Sequence, residues 1–241
     1  MPPTPPPEPE WPMPTLNLRV DALNHEGATI FFDSVHPTTA LRAAVLASFQ
    51  WLYATPECAP RNVASILLVL RSMDGVAYTT GSHTEKEIHF SLEHIVNSKT
   101  RARDEILGVL VHEVVHCYQH NGNGTAPGGL IEGFADYVRL HAGLSPPHWK
   151  REVGKNQKWD AGYQTTGYFL DWIDQRAGAG TVRGLNALLD GKDYEEAMFE
   201  RLAGERVQVL WRRYKIDLAG GDPDAELAVE ESTTDEGFTL V

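Results

Sequence analysis

Gly108-Val109-Leu110-Val111-His112-Glu113-Val114-Val115-His116-Cys117-Tyr118-Gln119 is the stretch on which the reading of this chain turns. Its apolar residues recur at helical spacing within a longer helical run, Arg103 to His120, and that run carries an HExxH motif. On a helix, His112 and His116 project from one face with Cβ atoms about 5 to 6 Å apart, a separation at which two imidazoles can share one zinc ion. Glu113 then stands beside the metal, where a carboxylate can take a proton from the attacking water and pass it to a leaving amine. Random order of this composition yields only about 0.03 such motifs per chain, so coincidence is a poor explanation.

A catalytic zinc also needs a third protein ligand. The metzincin arrangement fails, because Gln119 and Gly122 stand where Gly and His are required. His120 continues the histidine series, but eight residues correspond to about 12 Å along a helix, too far to share the metal of His112. The strongest candidate is Glu132, 16 residues beyond His116 and past a glycine-rich loop (121–129), at the start of a second helix over Leu130 to Ala142. Asp136, one turn further on, can accept the remaining ring N–H of a zinc-bound histidine and so orient it.

Outward from this centre, helical patterns continue over Thr165 to Arg176, Val182 to Asp190, Tyr194 to Ala203 and Val207 to Tyr214. The preceding half is different. Leu16 to Leu23, Ala28 to Phe32, Val63 to Leu70, Val76 to Thr80 and Glu87 to Leu92 have strand-like patterns, with one helix over Thr38 to Tyr53 among them. This order predicts an α+β fold, with a strand-rich N-terminal subdomain carrying a twisted mixed sheet and a mainly helical C-terminal one.

Three divisions follow from composition: a proline-rich tail (1–14), a central domain (15–216) and an acidic tail (217–241). The net charge is −12, from 21 Lys plus Arg against 33 Asp plus Glu; eight acidic residues after Lys215 account for much of it and leave −4 for the rest. Such a balance disfavours nucleic acid and anionic membranes as partners, and no segment is apolar enough to span a bilayer. Cys58 and Cys117, without a CxxC, are expected to be free thiols. No signal peptide is visible at the N-terminus, which by sequence alone suggests a cytoplasmic protein, and a monomer is expected.

The segment Gly108 to Gln119 together with Gly129-Leu130-Ile131-Glu132-Gly133-Phe134-Ala135-Asp136-Tyr137-Val138-Arg139-Leu140 closely resembles the plant basic secretory protein family of metallopeptidases. The similarity extends over roughly Leu16 to Lys215, including Val76 to Gly81, Lys86 to Ser91 and Trp159 to Tyr163. The resemblance implies a gluzincin, thermolysin-like in its active-site helices, with the EGxA segment supplying the zinc carboxylate. Two departures stand out: this chain is acidic where the family name says basic, and it shows no visible secretion signal although the family is often secreted.

The expected function is therefore hydrolysis of peptide or protein substrates by zinc-activated water, with Glu113 as general base. A catalytically weak defence or carbohydrate-associated binding protein of the same fold is the alternative. Tyr163, at a loop-to-helix junction, is the expected donor to the oxyanion of the tetrahedral intermediate, whereas Tyr168 lies in an apolar run and reads as core. Val76 to Thr80 is the expected sheet edge for an extended peptide.

Overall fold

The computed structural model describes residues 10–225; most of the proline-rich segment (1–9) and of the acidic segment (226–241) lies outside the described residues. The chain forms two compact units, one of residues up to His120 together with Phe134–His148, the other of Asn121–Gly133 and everything from Trp149. The architecture is α+β, as the order of patterns predicts.

In the first unit, strands β1 (Thr15–Val20), β2 (Ser65–Arg71), β3 (Ala77–Gly81) and β4 (Glu85–Ser91) form one mixed sheet in the order β1-β2-β4-β3. β1 and β4 run parallel to β2, and β3 returns antiparallel to β4 with Thr79 opposite Ile88. A central strand buried on both faces needs a continuous apolar run, and β2 with Ile66, Leu68, Val69 and Leu70 fully buried supplies it. β3 has a hydrogen-bonded neighbour on one side among the described residues, so its outer row of backbone groups is an edge.

Helices α1 (Glu26–Ser34), α2 (Pro37–Leu52), α3 (Leu92–Asn97) and α4 (Ala102–Tyr118) complete this unit with the greater part of α5 (Gly128–His141). Twelve of the 17 residues of α4 are buried, including Val109, Val111, Val114 and Val115. β-Branched residues are weak helix formers, so packing on α2 and the sheet, rather than propensity, holds α4 together. Phe49 of α2 meets Tyr118 of α4 at 4.5 Å between ring centroids, and its other flank stacks on Trp11 at 5.4 Å.

Two expectations are corrected. Ala28–Phe32 is not strand but part of α1: the His25 side chain accepts a hydrogen bond from Gly27 N–H at the helix start, and Ala28 and Phe31, three apart, face the core. A five-residue apolar run carries too little periodicity to separate the two states. The helix α3 was not anticipated; it follows β4 without a gap because Ser91, the last strand residue, accepts from the His94 N–H at 3.2 Å and caps it.

The second unit is helical, with α6 (Tyr163–Ala177), α7 (Thr181–Leu188), α8 (Ala197–Ala203) and α9 (Val207–Leu218). Phe169 and Trp172 of α6 pack with Trp211 and Tyr214 of α9 at ring-centroid distances of 5.0 to 5.6 Å. Tyr168 is 8% exposed and belongs to this core. α9 runs two residues past position 216, where Asp217 accepts from the Trp172 indole N–H at 2.8 Å.

Candidate metal centre and its surroundings

α4 presents His112 and His116 one turn apart, their rings nearly perpendicular and their Nε2 atoms 3.2 Å from each other. Two nitrogens that each lie about 2.0 to 2.1 Å from one tetrahedral zinc stand roughly 3.3 Å apart, so this pair has the spacing the ion requires. What turns both Nε2 atoms to the same point is the bonding at Nδ1. His112 Nδ1 lies 2.7 Å from Asp136 Oδ1, a carboxylate only 2% exposed. An ionised carboxylate can only accept, so it holds His112 as the tautomer with Nδ1–H and leaves the Nε2 lone pair for a ligand.

On His116 the partner is Gln119, whose Nε2 is placed 2.9 Å from Nδ1 while its Oε1 is buried without a hydrogen-bond partner. Turning that amide by 180° lets Oε1 accept an Nδ1–H and gives His116 the same tautomer as His112. Gln119 is the residue following α4, and sequence reasoning used it only to exclude a metzincin. Its spacing of three from His116 is the signal that could have found it.

Glu132 stands on α5 one turn before Asp136, and because α5 is one uninterrupted helix its position follows from that of Asp136. His112, His116 and Glu132 each offer a ligand atom, and these atoms lie within 4.8 Å of one another. The donor set of two imidazoles and a carboxylate suits zinc and leaves room for a fourth ligand.

The pairing of α4 with α5 that sets this geometry is tied by a buried ionic group. Glu105 of α4 receives Arg139 of α5 at 3.3 Å, Arg101 at closer range and His94 at 3.0 Å. Burial pushes the Glu105 carboxyl up, yet the His94 hydrogen bond and the charges of Arg139 and Arg101 outweigh it and hold the group at about 2.

Glu113 points from α4 toward the sheet and is 6% exposed. Thr79 of β3 reaches it twice: its Oγ1 is 2.7 Å from Glu113 Oε2 and 2.8 Å from the Glu113 carbonyl oxygen. The edge strand and the general-base candidate are thus in direct contact. Cys117, next to a candidate ligand, is buried and burial raises its thiol to about 12, whereas Cys58 is exposed.

Within the second unit, the first turns of α5 pack on residues 160–166. A Cβ on Gly129 would lie 1.8 Å from the Asp160 carbonyl oxygen, and one on Gly162 would lie 3.7 Å from the Glu132 Cβ. At Gly129 only glycine permits this approach, and it brings the start of α6 against the turn that bears Glu132. Tyr163, the first residue of α6, is 60% exposed and has φ +47°, a left-handed conformation rare for a residue with a side chain.

Three further histidines have structural partners. His120 lies 3.4 Å from the Tyr53 hydroxyl, His89 bonds Glu87 at 3.0 Å under the Tyr78 ring, and His141 packs on Trp51 at 4.0 Å.

No curated protein and no solved structure matches the chain significantly. A family described as peptidases of plants and bacteria, the BSP family, matches residues 13–214. That match takes in every element from β1 to α8 and most of α9, and with it both helices of the candidate centre, so the chain belongs to the BSP family of peptidases.

Proposed function

We propose that the chain is a zinc-dependent peptidase in which His112, His116 and Glu132 hold the metal and Glu113 is the general base. The observation that carries this reading is the His112–His116 pair, two Nε2 atoms 3.2 Å apart with their Nδ1 atoms each engaged by a neighbour. When bound, zinc supplies Lewis acidity that makes water nucleophilic near neutral pH and polarises the scissile carbonyl.

The protein's own groups do the rest. Glu113 takes the proton of the attacking water and delivers it to the departing amine. Asp136 and Gln119 hold the imidazoles in place. The outer edge of β3 offers backbone donors and acceptors to an extended peptide, which would add as a further antiparallel strand beside Glu113. Tyr163, strained and exposed on a helix packed against the Glu132 turn, is the proposed donor to the oxyanion.

Elemental analysis of the purified protein tests the ligand set. One zinc per chain is expected, with Glu132→Ala losing most of it; metal retained in Glu132→Ala but wholly lost in Asp136→Ala would assign the third ligand to Asp136.

A further inference from the structure

We infer that Thr79 is a positioning residue for Glu113, keeping the general base in one place both before and after it takes a proton. This rests on the reading of Glu113 given above. Thr79 Oγ1 lies within hydrogen-bond distance of two acceptors of the same residue, Oε2 at 2.7 Å and the main-chain oxygen at 2.8 Å. A hydroxyl has one proton to donate and lone pairs with which to accept.

With Glu113 ionised, the Thr79 O–H donates to Oε2. A proton taken from water by the other carboxylate oxygen, Oε1, leaves Oε2 an acceptor, so the same bond from Thr79 persists, the proton stays available to the departing amine, and no heavy atom moves. The side chain is suited to this, because β-branching stiffens χ1 and the flanking β3 to β4 ladder fixes the backbone, with Thr79 opposite Ile88. Thr79 also sits on the edge strand proposed to bind substrate, so the base is registered against the same strand that aligns the peptide.

The test compares Thr79→Val, which keeps the shape and removes the hydroxyl, with Thr79→Ser, which keeps the hydroxyl. Thr79→Val should lower kcat about 10- to 100-fold, the scale on which small misplacements of a catalytic group act, with KM and zinc content unchanged. Thr79→Ser should restore most of the rate. Added to Glu113→Gln, Thr79→Val should cost nothing more, because the group it positions no longer takes a proton.

Crystal structures of the metal-free Thr79→Val and parent proteins give a readout independent of turnover: the Glu113 carboxylate should occupy one rotamer in the parent and depart from it in the variant. An unmoved carboxylate, a kcat within about twofold of the parent, or equal losses in the Val and Ser variants would overturn the inference. A parent protein that cleaves no peptide would instead count against the peptidase reading, while the rotamer comparison would still decide the role of Thr79.

Discussion

Removing the carboxylate of Asp136 should loosen the metal without removing a ligand. The bond from His112 Nδ1–H to Oδ1 is 2.7 Å long, and the acceptor is 2% exposed, so water cannot readily replace it. A hydrogen bond to a charged group is worth about 1.5 to 3 kcal/mol, and at about 1.36 kcal/mol per factor of ten this corresponds to a roughly 10- to 150-fold loss. That range agrees with the 10- to 100-fold weakening seen when the partner of a metal-bound histidine is removed. Asp136→Ala should therefore bind zinc about 10- to 100-fold more weakly in competition with a chromophoric chelator, while keeping its circular dichroism spectrum. Asp136→Asn should fall between, because its amide oxygen still accepts but carries no charge. Affinity within twofold of the parent in Asp136→Ala would refute the argument that this carboxylate sets the His112 tautomer.

Other outcomes follow from the same coordinates. Tyr163→Phe should lower kcat by about 100-fold or more, as loss of one oxyanion donor does, with zinc content intact; a fall in Tyr168→Phe instead would move the role to that residue. Gly129→Ala should lower the melting temperature substantially, since its Cβ would meet the Asp160 carbonyl at 1.8 Å and overpacking against backbone costs about 1 to 3 kcal/mol or more. Glu105, held at about 2 against an ordinary value of 4.5, contributes stability that is fully present above 4.5 and is lost as pH falls toward 2. Melting temperatures of Glu105→Gln should accordingly fall less steeply than the parent's across that window, and parallel curves would contradict the assignment. In the native protein a thiol reagent should modify Cys58 alone, and Cys117 only after denaturation; two fast thiols would disprove the burial of Cys117.

How far the sequence could be read depended on the range of the interactions. His112, Glu113 and His116 are set by one turn of helix, and Asp136 follows Glu132 by the same rule, so periodicity alone places each pair on a face. The apolar run of β2 and the boundaries of α2 and α4 were legible for the same reason. Ala28–Phe32 was not, because the His25 cap and burial of Phe31 decide its state, and neither leaves a pattern in five residues. Thr79 reads only as part of the expected edge strand, with no role beside Glu113. Its contact with Glu113 spans 34 residues and exists only because β3 adds to the far side of β4, a strand order that single-sequence periodicity does not encode. Gln119 was hidden differently: its spacing from His116 was in view, but an amide earns a role only when its bonded partners are known.

The most direct test of the whole account is hydrolysis of an unbiased peptide library by the parent protein and by Glu113→Gln, each with and without a chelator. The account predicts cleavage by the parent that stops on chelation and returns with added zinc, and a Glu113→Gln variant that keeps its zinc yet cleaves orders of magnitude more slowly. Cleavage that survives complete removal of the metal, or a Glu113→Gln variant as fast as the parent, would contradict it.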